Sequence, residues 1–450
     1  MIDFSRPLWQ RFLVFLLPLM LSNILQSLSG TINSVFIGQM IGTHALASIS
    51  TFFPVMFLLI SFVIGLASGS SILIGQAWGA RNLRKIKEVT GTTLTVGFLM
   101  GCVVAVLGAL FARDMMSLLG APDEVLDMSA GYGRIVLMGM PGFFIFLIVT
   151  SMLRGVGDTV TPLFSLVLSI LVGLFVTPAL IQGWFGLPQL GVDAAAVAFI
   201  AGFMVVLVFL FFWLRFKQSP MAPDAELLAC LRVDFKLLAV ILKLGIPAGI
   251  AMIVASLSGL VIVGIVNRFG VDATAAYGAV NQVLSYIQFP AMSISIAASI
   301  FAAQAIGARR FDEVERVTKT ALLMNLIITG GLVLLAYVGS EYLIRAFITD
   351  DGVVEVAERL LHIVLWSCIV SGWGTTFSAV MRASGDVWIP MVLSLAAIIC
   401  VEVPAALILS NVFGLDGVWI GYTMSFSALL LLQATYYYIV WRKKKIEALV

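Results

Sequence analysis

The chain has 450 residues, of which 61% are hydrophobic and only 11% charged, and its mean hydropathy is +1.09. A soluble protein is about a quarter charged because its surface faces water, so this composition excludes a soluble enzyme or a string of soluble domains. The net charge of +2 is too small to indicate nucleic acid as a partner. The composition predicts a polytopic membrane protein that has the lipid bilayer as its main partner.

Apolar segments of about 20 residues or more recur along the whole chain, which is the length that crosses a bilayer as a helix. A backbone in lipid must satisfy its own hydrogen bonds, so these segments are predicted to be α-helices. The predicted spans are 12–37, 46–75, 91–112, 129–152, 162–185, 191–214, 238–267, 276–305, 319–340, 357–380, 388–411 and 416–441. The fold class is therefore an all-α membrane protein with about twelve transmembrane helices.

The basic residues predict the orientation of these spans. With the N-terminus placed inside, most of the 26 lysines and arginines fall in the inner connectors and in the terminal cluster at 442–445. The positive-inside rule then puts both termini in the cytoplasm and requires an even number of spans. We expect a multi-pass protein of the cell membrane, specifically of a bacterial inner membrane.

An internal repeat appears when the chain is shifted by 228 residues. Matching motifs occur in the same order at this offset, which is strong evidence for a duplication. The matching segments are 42–47 with 270–275, 71–90 with 299–318, and 154–162 with 382–390. The predicted domains are an N-terminal six-helix lobe at 1–214, a cytoplasmic linker at 215–237 and a C-terminal six-helix lobe at 238–450. Two such parallel bundles suit alternating access to a site between them.

The repeated motifs have mechanical interpretations. Gly79 and Gly307 are predicted to end their spans, where a helix needs a left-handed residue or a sharp turn. Arg382 with Asp386, like their counterparts 228 positions earlier, is predicted to clamp the following inner loop.

These motifs resemble those of the multidrug and toxic compound extrusion (MATE) family, within the multidrug/oligosaccharidyl-lipid/polysaccharide flippase superfamily. The resemblance covers nearly the whole chain, and it rests on the paired segments 76–80 with 304–308 and 154–158 with 382–386, on 38–47, and on Pro18 and Pro247. It implies two pseudo-symmetric six-helix bundles forming a V-shaped cavity. It also implies export of amphipathic, often cationic drugs by a secondary antiporter, driven by a proton or sodium gradient without another cofactor.

The chain departs from the family at the positions where coupling carboxylates usually lie. Many bacterial members carry an aspartate five residues before the glycine of span one, where this chain has Asn33 before Gly38. Some carry a glutamate eight residues after the proline of span seven, where this chain has Ala255. These departures leave both the coupling ion and the preference for cations open.

Glu402 is the one acidic residue well inside a predicted span. An ionised and unpaired carboxylate is costly in the membrane interior, so such residues usually face a cavity or a partner. Glu402 is therefore predicted to be the proton-coupling group. The alternative is a protonated Glu402 that only makes a structural hydrogen bond inside the second lobe.

Asn33 is the second candidate for ion coupling. Its amide oxygen can help to bind Na⁺, which prefers oxygen ligands, but it cannot carry a proton. The alternative is a hydrogen bond between helices, which polar side chains in membrane bundles commonly make. No other metal site is predicted.

Polar, aromatic and methionine side chains supply candidates for the substrate cavity. Asn281, Ser285 and Gln288 share one helical face of span eight. Methionines form adaptable apolar surfaces that suit varied ligands. The full set is Gln26, Asn281, Gln282, Ser285, Tyr286, Gln288, Trp373, Met56, Met252 and Met292. Packing or contact with lipid is the alternative role of each.

Other functions fit the sequence less well. A lipid-linked saccharide flippase of the same superfamily is the alternative, but it would need a cationic cavity for pyrophosphate. A membrane enzyme would need a catalytic constellation, and the chain has no HExxH or GxSxG motif. A small-molecule substrate is expected. A monomer is expected as well, because two lobes already make a complete transporter.

Overall fold

All regular elements of residues 5–450, which this computed structural model describes, are helical. Long apolar segments account for this, since the helix pairs the interior backbone groups within one segment. The α-helices are α1 Leu8–Met40, α2 Thr43–Gly79, α3 Leu83–Leu118, α4 Asp123–Met138, α5 Met140–Gly155, α6 Val160–Gln182, α7 Asp193–Phe216, α8 Ala225–Cys230, α9 Phe235–Asn267, α10 Val271–Gly307, α11 Phe311–Val338, α12 Ser340–Arg345, α13 Asp351–Val364, α14 Ser367–Ala383, α15 Trp388–Ala396, α16 Val403–Phe413 and α17 Leu415–Ile439. A π-helical turn, Ala397–Glu402, joins α15 to α16.

The predicted all-α membrane fold is confirmed. Within residues 5–450, ten helical segments are long and apolar enough to cross a membrane, and α4 with α5 makes an eleventh that is bent by 55°. The bend lies at Gly139, two residues before Pro141, which has no backbone N–H to give to the preceding turn. The predicted span 357–380 falls across α13 and α14, which are separate helices broken at Leu365 and Trp366.

The chain forms two compact units. The N unit comprises Leu21–Ile74 and Asn82–Ile246, and the C unit comprises the residues up to Met20, Gly75–Arg81 and Pro247–Val450. The predicted lobes, 1–214 and 238–450, are the halves expected to move during transport. They are defined differently from these two units, and they stay a prediction.

The N unit is built around close packing of α3 on α4 and α5. Glycines on one side of α3 make this approach possible, because small residues let helix backbones come close in a membrane bundle. A Cβ added to Gly101 would lie 2.4 Å from the Cα of Pro141, and one added to Gly108 would lie 2.4 Å from the Cβ of Leu137. The glycine face of α3 therefore fixes the position of the bent α4–α5 pair.

The C unit is organised around α10. Its most apolar stretch is 78% buried, the highest fraction among the membrane-length helices of the described chain. It packs against α11, α13 and α14, and small residues such as Ala297, Ala298 and Ala302 are fully buried along it. This burial makes α10 the central helix against which the neighbouring side chains of the unit are placed.

The predicted linker is partly helical and is anchored to α3. The ammonium of Lys87 donates to the carboxylates of Asp224, at 2.6 Å, and Glu226, at 3.0 Å. A Cβ on Gly91 would lie 2.2 Å from the carbonyl oxygen of Cys230, at the end of α8. The bond from Lys87 is the largest cause holding the pKa of the Asp224 carboxyl below its ordinary value.

Replacing Lys87 by Met removes this anchor while keeping the length of the side chain. We expect the free energy of unfolding of the N unit to fall by about 1 kcal/mol, because the carboxylates are solvent-screened. A carboxyl with a lowered pKa stabilises the fold above its ordinary pKa and loses that contribution as the pH falls below it. The difference between Lys87→Met and the wild type should therefore be full at neutral pH and vanish in acid. Thermal unfolding in detergent measures it, with Lys85→Met as the control; an equal loss in both variants would contradict the anchoring role.

The repeat is visible in the backbone. Arg81 and Arg309 have φ angles of 56° and 58°, and Gly157 and Gly385 have φ angles of 89° and 92°. Each pair lies 228 residues apart, at the offset that the motifs gave. The duplicated motifs thus fold into the same unusual turns in both copies.

The predicted role of Gly79 and Gly307 was half right. Both residues do end their helices, α2 and α10, but the left-handed residues are the arginines two positions later. The glycines serve a close crossing: a Cβ on Gly79 would lie 2.0 Å from the carbonyl oxygen of Gln304, and one on Gly307 would lie 1.8 Å from that of Gln76. The two copies of the motif therefore pack on each other inside the C unit.

The predicted arginine–aspartate clamps are wrong. Asp386 accepts hydrogen bonds from the Tyr436 hydroxyl, at 2.7 Å, and from the Lys444 ammonium, at 2.8 Å. Its counterpart Asp158 accepts from Thr161, at 2.6 Å. The left-handed turns that follow α5 and α14 carry each aspartate away from the arginine four residues before it.

Candidate functional site

Glu402 lies inside the C unit and is 8% exposed. Its carboxylate is held by two serine hydroxyls from different helices. Ser258 of α9 donates to Oε1 at 2.7 Å, and Ser425 of α17 donates to Oε2 at 3.1 Å. No Lys, Arg or His within residues 5–450 forms an ion pair with this carboxylate. The site is therefore a buried carboxyl group whose two hydrogen-bond donors are both neutral hydroxyls.

Ser425 gives the site a means of accommodating a proton. Its Oγ also lies 3.1 Å from the carbonyl oxygen of Ala397, so the single hydroxyl hydrogen has two acceptors to choose between. When Glu402 is ionised, that hydrogen can go to the carboxylate. When Oε2 carries a proton, the acid can donate to Ser425, which then donates to Ala397. Both protonation states are therefore hydrogen-bonded without movement of the backbone.

Glu402 ends the only π-helical turn of the described chain, Ala397–Glu402. Pro404 follows two residues later, and in a regular helix its ring would clash with the carbonyl of Cys400. A wider turn relieves that clash, and such turns occur frequently at functional sites. The turn places Glu402 where it can face both α9 and α17.

A pair of tyrosines extends the polar cluster. Tyr422 lies one turn before Ser425 on α17, and its hydroxyl is 2.9 Å from that of Tyr277 on α10. Trp419 packs against both rings, at centroid distances of 5.2 and 5.3 Å. The cluster thus runs from the carboxylate of Glu402 towards the central helix α10.

The predicted candidates in the N unit lie on α1 and α2. Asn33 and Gln26 are exposed, and their side chains form no hydrogen bond within residues 5–450. The interhelical bond that was the alternative for Asn33 is therefore absent from the described chain. Met56 is half-buried on α2. These residues belong to the N unit, whereas Glu402 belongs to the C unit.

The remaining candidates lie in the C unit. Ser285 is exposed and donates to the carbonyl of Asn281 at 2.9 Å, and the ring of Tyr286 packs edge-on against Phe289. Trp373 donates to the carbonyl of Leu322 at 3.0 Å, which ties α14 to α11. The others are half-buried (Asn281, Gln282, Gln288 and Met252) or exposed (Met292). Their role in a substrate cavity stays a prediction.

Glu402 is predicted from the sequence, but its partners are not. Ser258 and Ser425 lie 144 and 23 residues away in the chain, and nothing distinguishes them from other serines in apolar segments. Pro404, two residues after the buried acid, was the available signal that the helix is irregular at this point.

Comparison with known proteins gives a consistent result. The sequence profile of the MatE family matches residues 18–179 and, a second time, residues 247–408. The two matches start 229 residues apart, within one residue of the offset found in the repeat.

The chain is 45% identical over 449 residues to the probable multidrug resistance protein YoeA of Bacillus subtilis, covering 99% of this chain and 97% of that protein. It is 25% identical to the multidrug export protein MepA of Staphylococcus aureus strain N315, over 92% and 89% of the two chains. An aspartate-to-asparagine mutant of the Vibrio cholerae MATE transporter VcmN has a similar structure, with a TM-score of 0.89, 19% identity, and coverage of 97% and 98%. At that identity the structural likeness shows a common fold.

Proposed function

Because the chain belongs to the MATE family of multidrug transporters, we propose that it exports amphipathic organic molecules, cationic ones included, in exchange for protons. The observation that carries the proton-coupled mechanism is the buried carboxyl of Glu402, which has hydroxyl partners and, within residues 5–450, no cationic partner. Relatives such as YoeA and MepA, whose names describe multidrug resistance and export, support the class of substrate.

The coupling follows from the cost of burying a charge. An ionised Glu402 in an apolar unit is destabilised, and proton binding relieves that cost. The conformation that buries Glu402 most completely is therefore favoured after protonation, and water access to the site favours release of the proton. A ligand shifts a conformational equilibrium only by its different affinity for the two states. Alternating access between two six-helix lobes then links inward proton movement to outward movement of the substrate.

Protons are favoured over sodium by the donor set. Na⁺ needs several oxygen ligands turned towards it, and both hydroxyl hydrogens here are within bonding distance of the carboxylate. The Ser425 hydroxyl can reverse its role as Glu402 gains or loses a proton. Asn33 remains a candidate ligand for Na⁺ in the N unit and would carry the mechanism if sodium drives transport.

Reconstituted liposomes test the proposal directly. A fluorescent organic cation is loaded on one side, and either a pH gradient or a Na⁺ gradient of equal size is imposed. We expect movement of the cation with the pH gradient, abolition by an uncoupler, and no response to Na⁺. Movement driven by Na⁺ and insensitive to the uncoupler would overturn proton coupling. Absence of any movement with several dyes would overturn drug export.

A further inference from the structure

A second polar feature of the C unit lies apart from Glu402. A cavity of about 180 Å³ lies between parts of α9, α14, α15 and α17. Its lining residues are Pro247, Ala248, Ala251, Thr375, Ser378, Arg382, Met391, Ser394 and Leu429. Arg382 is the one charged residue among them.

The guanidinium of Arg382 has no partner in the described chain. Its Nε is buried without a hydrogen bond, and none of its nitrogens forms an ion pair or a hydrogen bond with residues 5–450. The nearest carboxylate in sequence, Asp386, is already bonded to Tyr436 and Lys444. The cation is thus left without the counter-charge that its motif would be expected to supply.

The Arg382 side chain is half-buried, and taking a cation out of water without a counter-charge carries a desolvation cost that reaches several kcal/mol for a fully buried ion. Arg382 lies in the last turn of α14, where the helix dipole offers part of a negative charge. That partial charge does not supply an acceptor for the buried Nε–H. The natural complement is an anion inside the cavity.

The same face of α14 supplies a second donor. Thr375, Ser378 and Arg382 lie at i, i+3 and i+7 and therefore share one side of the helix. The Thr375 hydroxyl is committed, since it donates to Gly372 at 3.0 Å. The Ser378 hydroxyl forms no hydrogen bond within residues 5–450, so it is available to a ligand next to Arg382.

We propose that this cavity binds a small monovalent anion, a carboxylate or a halide, through Arg382 and Ser378. The planar fork of a guanidinium matches a carboxylate, and one positive charge balances one negative charge. The volume is below the roughly 300 Å³ of the smallest drug-binding clefts, so the ligand is not the exported drug. The site is separate from Glu402, and the proposal does not depend on the direction or the driving ion of transport.

Thermal unfolding of the purified protein in detergent, at constant ionic strength, tests the site. Acetate or chloride replaces gluconate, an anion larger than either, and a ligand that binds only the folded state raises the midpoint in a saturable way. We expect saturation in the wild type and no response in Arg382→Gln. In Ser378→Ala we expect an apparent affinity about tenfold weaker, as for the loss of one hydrogen bond to a charged group.

Arg442→Gln is the control, because it removes an exposed arginine that is paired with Glu315 in the same unit. It should respond to acetate and chloride like the wild type. Equilibrium dialysis with radiolabelled acetate or chloride reads binding directly and covers the case in which Arg382→Gln fails to fold. A response to either anion that Ser378→Ala weakens supports the site. A wild type that binds neither anion, or a Ser378→Ala variant that binds as the wild type does, overturns it.

Discussion

Gly307→Ala should unfold at a temperature lower by roughly 5 to 10 °C than the wild type, and it should accumulate poorly in the membrane. The added Cβ would lie 1.8 Å from the carbonyl oxygen of Gln76 and 2.6 Å from its carbonyl carbon. Both atoms belong to backbone, so no side-chain rotation relieves the overlap and the helices must separate. Overpacking of this kind costs about 3 kcal/mol.

Gly278→Ala is the matched control on the same helix. Gly278 lies in the interior of α10, and a Cβ there would meet nothing within 4 Å. Because Ala favours a helix over Gly by about 1 kcal/mol, this variant should unfold at or slightly above the wild-type temperature. The midpoint of thermal unfolding in detergent and the amount of monodisperse protein measure both variants. A Gly307→Ala protein as stable as Gly278→Ala would mean that α2 and α10 do not cross at this point.

The symmetry of this crossing also yields an internal check. Gly79→Ala places a Cβ 2.0 Å from the carbonyl oxygen of Gln304, so it should be as damaging as Gly307→Ala. The double variant should cost less than the sum of the two single changes, because one displacement of the helices relieves both overlaps.

The length of the apolar segments was enough to predict the helices, but not where they end. The span predicted at 91–112 belongs to α3, which runs from Leu83 to Leu118. Its first five residues include Arg84, Lys85 and Lys87, and charged residues prolong a helix beyond the bilayer core without raising its hydropathy. The bend between α4 and α5 was hidden because the apolar stretch continues through Gly139 and Pro141.

The sequence predicted the residue type at the site, but not the contacts that this residue makes with distant segments of the chain. A carboxylate in an apolar segment is conspicuous on its own, so Glu402 could be identified from the sequence. Its hydrogen bonds depend on which faces of α9 and α17 turn towards it. The offset of the internal repeat does not predict how these helices are rotated about their axes. The same limit explains the wrong pairing of Arg382 with Asp386: a spacing of four suits a helix, but α14 ends at Ala383.

Glu402→Gln should lower transport driven by a pH gradient by at least an order of magnitude, while the protein still folds and binds substrate. Glutamine keeps the shape and a carbonyl oxygen for Ser258 or Ser425, but it can neither bind nor release a proton. If proton binding is what links the conformations, the variant loses the response to the gradient and keeps exchange of substrate between the two sides. Gradient-driven uptake and substrate exchange, measured in the same liposomes, separate these two activities.

Glu355→Gln is the control for this experiment, since it neutralises an exposed carboxylate of the same unit. It should transport like the wild type. Ser425→Ala should be intermediate, because it removes the hydroxyl that can switch between donating to and accepting from Glu402, while Ser258 still holds Oε1. Loss of both exchange and gradient-driven transport in Glu402→Gln would indicate a structural role for the carboxyl. Full gradient-driven transport in that variant would remove Glu402 from the coupling mechanism.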